Sequence, residues 1–264
     1  MKAINILFDE FGTPTFEKDK ETTAFGGIAV SYYERTEEEI FAKCDSLFSL
    51  STKRPRKNRT LSKERAIRIA DMVSTLPVGI VVNVVDLTNK EFRATAKVYE
   101  RLSNAERTKH RKVREQPFAQ YLHGRILDNC VLKCISNHAI QESSFESIYK
   151  IYVDNWAIKK ADIEIFIELR ADSLERNIQR LLTKLGTDTK IKVPPLSLLD
   201  VDSKRKRYID ILASVISRAF MDESHDRYSE VPLTRMRASS GSRFEFDDVT
   251  REEIRFMRSF EQRI

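Results

Sequence analysis

Short apolar, β-prone runs alternate with longer segments of helical periodicity along this chain of 264 residues. The first run covers residues 1–8 (MKAINILF), and the run richest in valine covers residues 78–87 (VGIVVNVVDL). Each run has the length of a strand and is apolar enough to be buried on both faces of a sheet. Because helical segments separate the later strands, the pattern favours an α/β fold over a helical bundle or a β-sandwich.

The predicted elements follow one another as strand, strand, helix, strand, helices, strand, helix, strand, helix. We predict strands over residues 1–8, 22–31, 78–87, 147–154 and 191–201. We predict helices over residues 37–48, 62–74, 90–103, 116–140, 162–185, 206–220 and 251–260. Gly26-Gly27 in the second strand would permit close approach of another element, and Gly186 is suited to ending a helix.

Composition excludes several classes of protein. Hydrophobic residues at 41% and charged residues at 33% are typical of a soluble globular protein, not of a disordered or fibrous one. No apolar run approaches the ~20 residues that cross a bilayer, and the amino terminus lacks a signal-peptide pattern. Cys44, Cys130 and Cys134 cannot form a disulfide framework, so we expect a cytoplasmic protein with no membrane partner.

Four carboxylates occupy positions that do not fit an ordinary polar face. Asp9 and Glu10 close the first strand, Asp154 closes a later strand, and Asp210 borders the buried stripe of the last core helix. Taken singly, each acid fits a strand-end turn or a helix cap. Ligands of open α/β sheets bind beyond the carboxyl ends of the strands, so Asp9 and Asp154 should converge if their strands are parallel neighbours. Asp202, after the fifth predicted strand, is a further candidate.

A group of carboxylates without a histidine partner is a set of hard oxygen ligands, which suits Mg²⁺ or Mn²⁺ and not zinc. A pair of such ions is the usual means of cleaving phosphodiesters. We therefore predict Asp9, Asp154 and Asp210 as metal ligands and catalytic residues. Glu10 and Asp202 are second candidates, either as ligands or as residues that orient water.

The motifs around these acids resemble those of a bacterial domain-of-unknown-function family, the one numbered thirty-eight hundred. Asp9-Glu10-Phe11-Gly12 is similar to the Asp-Glu-Ser-Gly signature of its first strand. Asp154 after IYV is similar to its middle acidic strand end, and the run DSK from Asp202, followed by YIDILA, is similar to its closing motif. The resemblance spans residues 4–220 and implies an RNase H-like fold with metal-dependent nuclease activity.

The predicted element order matches the RNase H-like plan of a hairpin pair and a third strand, followed by alternating helices and strands. Residues 1–220 would then form an RNase H-like mixed sheet flanked by helices. Within them, residues 88–145 would be a helical insertion between the third and fourth strands. Residues 221–264 would be a C-terminal extension packed on this domain.

Three clusters of cations favour a polyanionic partner, although the net charge is only +6. They cover residues 53–68, 107–114 and 204–207, and the last cluster directly precedes the helix that carries Asp210. Lysine and arginine supply the sequence-independent part of nucleic-acid affinity. The alternative for any one cluster is a solvated loop. The candidate nucleic-acid contacts are Lys53, Arg54, Arg56, Lys57, Lys204, Arg205 and Lys206.

Other kinds of site have little support. No nucleophile elbow or phosphate-binding loop is present, and the four histidines show no metal-ligand spacing. His123 lies on a predicted helix that would reach the site as a general base, although a packing role is the simpler interpretation. The sequence thus predicts a nuclease that acts on DNA or RNA. The alternative is a catalytically lapsed subunit that binds nucleic acid or a protein partner, as in a defence or toxin system, and the oligomeric state stays open.

Overall fold

The computed structural model describes residues 2–12, 24–48, 63–109, 118–141, 146–154, 163–186, 191–221 and 243–262. Its strands are β1 (Lys2–Phe11), β2 (Ala24–Tyr33), β3 (Gly79–Asp86), β4 (Ser147–Val153), β5 (Ile191–Lys192), β6 (Ser197–Leu198) and β7 (Arg243–Asp248). Its helices are α1 (Glu37–Phe48), α2 (Lys63–Val73), α3 (Lys90–Lys109), α4 (Phe118–Gln141), α5 (Ile163–Leu185), α6 (Lys204–Met221) and α7 (Thr250–Glu261).

The strands form one mixed sheet in the order β5-β4-β1-β2-β3-β7, and β6 also pairs with β4. β1, β2 and β3 make an antiparallel meander, whereas β4 lies parallel to β1 on its other side. β7 extends the sheet beyond β3 in parallel orientation. This order of a meander followed by parallel strands confirms the predicted α/β class and its RNase H-like mixed sheet.

Helices cover both faces of the sheet, because successive side chains of a strand point to opposite faces. In β1, Ile4, Ile6 and Phe8 pack into one apolar cluster with α3, α4, α5 and α7. Leu7 and Phe11 pack into a second cluster with α1, α2 and α6. The sheet is therefore buried on both sides, which is why its central strands read as continuous apolar runs.

β1 is longer than predicted. The predicted strand ends at residue 8, but Asp9, Glu10 and Phe11 also pair with β2, and the strand ends at Phe11, just before Gly12, whose φ is 81°. Pairing with β2 satisfies the backbone of these residues, so the two acids are held in extended conformation. Both acids are therefore fixed on a strand and do not lie on a turn.

Gly26 and Gly27 allow the close approach that the sequence indicated. A Cβ at Gly26 would lie 2.5 Å from the carbonyl oxygen of Asn83, and one at Gly27 would lie 2.6 Å from the ring of Phe8. Any larger residue would push β2 away from β3 or displace the ring of Phe8. The carboxyl end of β1 thus depends on these glycines for its packing.

The C-terminal part holds one element that the sequence did not reveal, the strand β7, while the predicted helix 251–260 corresponds to α7. Residues 191–201, predicted as a single strand, form the two short strands β5 and β6, both paired with β4. Pro194-Pro195 lies between them, and proline cannot donate to a sheet ladder. Within the described residues, no helix has the length and apolar character needed to span a membrane.

Candidate metal centre

Two parallel strands and one helix bring three aspartates together. β1 and β4 are parallel neighbours in which Phe8 is paired with Val153. The next residues, Asp9 and Asp154, therefore lie side by side, and the backbone N–H of Asp154 donates to the carbonyl of Phe8 at 3.3 Å. α6 packs across β1 and β2, and it carries Asp210 towards the same end of the sheet. The predicted convergence of the acids is present.

Asp9, Asp154 and Asp210 each offer a carboxylate oxygen, and these oxygens all lie within 4.8 Å of one another. In the described part of the chain, this is the only group of three or more acidic, histidine or cysteine side chains with that geometry. Asp9 and Asp154 are buried, at 5% and 4% exposure, whereas the side chain of Asp210 is 22% exposed. The centre is thus open to solvent mainly on the side of α6.

Burial and the neighbouring carboxylates disfavour the ionised form of Asp9. Burial, followed by the charges of Asp154 and Asp210, raises the pKa of the Asp9 carboxyl well above its usual value. The ammonium of Lys206 and the backbone N–H of Glu10, which donates to Asp9 at 2.9 Å, oppose that rise without cancelling it. A cation added to the centre would favour the ionised form of Asp9.

A lysine lies between two of the aspartates. The ammonium of Lys206 forms ion pairs with Oδ2 of Asp154 and, at 2.9 Å, with Oδ1 of Asp210. Lys206 itself is only 6% exposed. Burial alone would lower the pKa of Lys206, but the hydrogen bond and charge of Asp154, together with Asp210, raise it. Lys206 therefore stays charged inside the cluster.

Glu10 lies on the opposite face of β1 from Asp9, as the alternation of a strand requires. Its side chain is directed at α4, where Oε2 lies 3.5 Å from Nδ1 of His123. Among the described residues, neither carboxylate oxygen of Glu10 has a hydrogen-bond partner. Burial, then the charges of Asp9 and Asp154, raises the pKa of Glu10 well above its usual value. Glu10 is therefore a buried carboxyl whose neutral form is favoured and whose nearest described polar neighbour is His123.

His123 is 2% exposed and packs edge-on against Phe8, with ring centroids 5.7 Å apart. Burial, followed by the nearby charge of Arg170, lowers the pKa of His123 to about 4. The imidazole is consequently neutral at neutral pH. His123 therefore packs in the core, as the simpler interpretation expected. It also lies next to Glu10, one of the predicted site residues.

The donor set fits a hard divalent cation. Converging carboxylate oxygens are the ligands that Mg²⁺ and Mn²⁺ prefer, and Asp9, Asp154 and Asp210 supply three of them within 4.8 Å of one another. Lys206 fills part of the same space, on the side of Asp154 and Asp210. A metal ion would therefore be held by Asp9 together with Asp154 and Asp210.

The other predicted residues that the structure describes are not members of the aspartate group. Asp202 is exposed in the turn before α6 and is not part of the aspartate group. Lys204 is exposed and pairs with Asp45 at 3.3 Å. Residues 53–57, with the candidates Lys53, Arg54, Arg56 and Lys57, lie outside the described residues, as does most of the cluster 107–114.

A glutamate that the sequence analysis did not single out anchors the first turn of α6. Glu37 accepts two hydrogen bonds from Arg205, at 2.8 and 2.9 Å, and one each from Asn5 and Tyr32. Arg205 also lies over the ring of Tyr152, 4.3 Å from its centroid. No local motif marks Glu37, because Asn5 and Arg205 are 32 and 168 residues away in sequence. The i, i+4 spacing of Lys206 and Asp210, in contrast, was a signal available for the lysine.

Two solved structures that resemble this chain are crystal structures of Bst-RNase HIII. One, of a mutant protein, is 14% identical, covers 90% of this chain and 63% of that chain, and has a TM-score of 0.40. The other, in complex with Mn²⁺, is 15% identical, covers 91% and 63%, and has a TM-score of 0.34. This chain thus spans less than two thirds of the length of those chains.

No family model matches the chain, and no curated protein matches it. The resemblance to the domain-of-unknown-function family therefore stays a prediction. The fold assignment rests on the strand order of this chain, and the site on its own geometry.

Proposed function

We propose that this protein is a metal-dependent nuclease that hydrolyses nucleic-acid phosphodiesters with Mg²⁺ or Mn²⁺. The observation that carries the proposal is the group of three aspartates, whose carboxylate oxygens lie within 4.8 Å of one another at the carboxyl ends of β1 and β4. A bound divalent ion in such a site supplies Lewis-acid stabilisation of phosphate charge and lowers the pKa of water.

The residues of the chain prepare the centre in three ways. Asp9, Asp154 and Asp210 would hold the ion, and the backbone N–H of Glu10 orients Asp9 by its hydrogen bond of 2.9 Å. β1 and β4 are both central in the sheet, so the two strand-borne carboxylates have fixed positions. Glu10 is a weaker candidate ligand, because its side chain is directed at α4 from the other face of β1. Asp202, which is exposed, has weaker support.

Nucleic acid is the proposed partner, and its binding surface rests on sequence alone. The candidates at residues 53–57 are cationic and lie outside the described residues. Near the centre, Lys204 is exposed but pairs with Asp45 at 3.3 Å, so a phosphate would compete with that carboxylate for its ammonium. Arg205 is tied to Glu37 and Lys206 is buried, so neither is well placed for a phosphodiester backbone.

A second candidate function is a subunit that binds nucleic acid without cleaving it. Lys206 supports this candidate, because its ammonium compensates Asp154 and Asp210 without a metal ion. A site completed by its own lysine does not need a divalent ion in order to be stable. The two candidates differ in whether Mn²⁺ or Mg²⁺ produces cleavage.

The test is a nuclease assay on labelled single-stranded and duplex DNA, RNA and RNA–DNA hybrid, with Mn²⁺, Mg²⁺ or EDTA. Wild type should cleave at least one substrate only with a metal ion. Loss of a group that merely supports a ligand costs about 10–100-fold, so Asp154→Asn should lower the rate by more than about 100-fold. Asp172→Asn, which removes the same charge from an exposed position on α5, is the control and should match wild type.

Wild type that cleaves none of the substrates, yet retards them in a gel-shift assay, would favour the second candidate function. Equal rates for Asp154→Asn and wild type would exclude Asp154 as a ligand. Unchanged cleavage in EDTA would contradict a metal-dependent mechanism altogether.

A further inference from the structure

Lys206 occupies a position where a site for divalent ions would be expected to hold an ion. Its Nζ contacts one carboxylate on the sheet, Asp154, and one on α6, Asp210. These are two of the three aspartates that form the centre. The side chain of Lys206 is 8% exposed, so its ammonium belongs to the interior of the site and not to the surface.

The first turn of α6 holds Lys206 in this place. Ser203 caps the helix, and its hydroxyl accepts the backbone N–H of Lys206 at 3.1 Å. The neighbouring Arg205 is bound by both carboxylate oxygens of Glu37. Lys206 and Asp210 are one helical turn apart, so they lie on the same face of α6. The lysine is thus directed at the centre by the packing of the whole helix.

Lys206 divides the centre into two sides. On one side, Asp154 and Asp210 already share a positive charge. On the other side, Asp9, the third member of the group, has no ion pair with Lys206. One side is therefore compensated, and the other still has carboxylate oxygens available to a cation.

We propose that the ammonium of Lys206 is a built-in cation that takes one of the two cation positions of this carboxylate group. The centre then binds one divalent ion, on the side of Asp9, and not the pair of ions that the carboxylates would otherwise hold. The inference deepens the proposed nuclease function and rests on it for the identity of the ion.

The physical reason is competition for the same oxygens. An ammonium is a compact charge with three donors, and here two of its hydrogen bonds go to Asp154 and Asp210. A second divalent ion would have to displace the ammonium from both carboxylates and leave a lysine charge buried without its partners. Lys206→Met keeps a long apolar side chain but removes the charge, so it should restore the second position.

The experiment counts Mn²⁺ bound to the full-length protein, with free Mn²⁺ measured by electron paramagnetic resonance after equilibrium dialysis. Wild type should bind one ion, and Lys206→Met should bind two, the second giving a spin-coupled signal with the first. Lys204→Met is the matched control, since it removes the same charge from the same turn of α6 at an exposed position. Its count should equal that of wild type.

The difference between the two counts tests the lysine, and the wild-type count tests the metal centre. Equal counts for wild type and Lys206→Met would overturn the proposal for Lys206, whatever the nuclease assay shows. Wild type that binds no Mn²⁺ would overturn the proposed metal-dependent function and the single-ion centre with it, whereas one ion in both wild type and Lys206→Met would overturn only the proposal for Lys206. Two coupled ions in wild type would overturn the proposal for Lys206 even if Lys206→Met and Lys206→Gln both fail to fold.

Discussion

His123 and Glu10 meet on the face of β1 opposite the aspartates, and burial disfavours the charge of each. The pKa of His123 is lowered to about 4, so the folded protein holds fewer protons on this residue than the unfolded chain does. Its contribution to stability is therefore complete above the ordinary pKa of 6.5 and is lost as the pH falls through about 4.

For Asp9 and Glu10, the contribution to folding stability changes with pH in the opposite direction. Their pKa values are raised in the folded state, because burial and neighbouring carboxylates disfavour ionisation. Their contribution to folding stability is present at low pH. It is lost as the pH rises from the ordinary carboxylate range through the raised pKa. Divalent cations should reverse this loss by stabilising the ionised forms.

A variant of His123 should be less sensitive to acid than wild type. The shift from 6.5 to about 4 corresponds to a loss of roughly 3 kcal/mol when the protein is acidified past both values. His123→Gln removes the titrating group, so its urea-unfolding free energy should fall less between pH 7 and pH 4 than that of wild type. Parallel pH profiles for the two proteins would show that His123 does not titrate in this way.

α6 shows why a run of cations in sequence does not make a cationic surface. Successive residues of a helix are rotated by about 100°, so the four side chains of residues 204–207 separate. Lys204 pairs with Asp45, Arg205 with Glu37, and Lys206 enters the centre. Arg207, 7% exposed, donates to the carbonyl of Asp202 at 2.6 Å. The run thus docks the helix instead of presenting a patch.

α7 is attached to α4 by a buried ion pair. Glu253 is 0% exposed, and Arg125 donates to it at 3.0 Å, while the hydroxyl of Tyr121 donates at 3.2 Å. A second ion pair, between Arg258 of α7 and Glu91 of α3, lies at 2.8 Å but is 55% exposed at both side chains. The two ion pairs connect α7 to its neighbours, one of them largely buried and the other exposed to solvent.

Glu253→Gln should destabilise the protein by about 3 kcal/mol, because it leaves the guanidinium of Arg125 largely buried without a counter-charge. Glu91→Gln, the exposed counterpart, should change the unfolding free energy by less than about 1 kcal/mol. Urea unfolding followed by circular dichroism measures both. Similar losses for the two variants would mean that burial does not determine the contribution of these pairs.

Across the molecule, the carboxyl-terminal part is continuous with the sheet. β7 pairs with β3 over six residues of each strand, and Val249 before α7, with Ile254 and Met257 of α7, joins the apolar cluster shared with α3, α4 and α5. The predicted division at residue 220 therefore separates a strand from its own sheet.

A chain that ends at residue 221 should not retain the stability of the whole protein. It would expose the edge of β3 and the apolar side chains that α7 covers, and both favour aggregation. We expect it to elute as aggregate in size-exclusion chromatography, or to lose the cooperative urea transition of the full chain. A monomer with the wild-type urea midpoint would instead support a separate domain over residues 1–220.

Most of the fold was accessible from the sequence, because its elements carry local signals. The helix predicted over 37–48 has the bounds of α1, and β3 and β4 lie within one residue of their predicted ranges at each end. β7 was missed although Phe244 and Phe246 alternate with acids as in a half-buried strand. β7 has only six residues. Such a short segment becomes a strand through its pairing with β3, which the local sequence does not reveal.

The acids at strand ends and at the border of a helical stripe are local features, so the sequence by itself determined which carboxylates would meet. It did not determine that Lys206 would join them, although its spacing from Asp210 was visible, because that depends on the angle at which α6 crosses the sheet. Nor did it reveal Glu37, whose partners Asn5 and Arg205 are 32 and 168 residues away. Charges separated by such distances become neighbours only through tertiary packing, and packing decided which of them face solvent and which face one another.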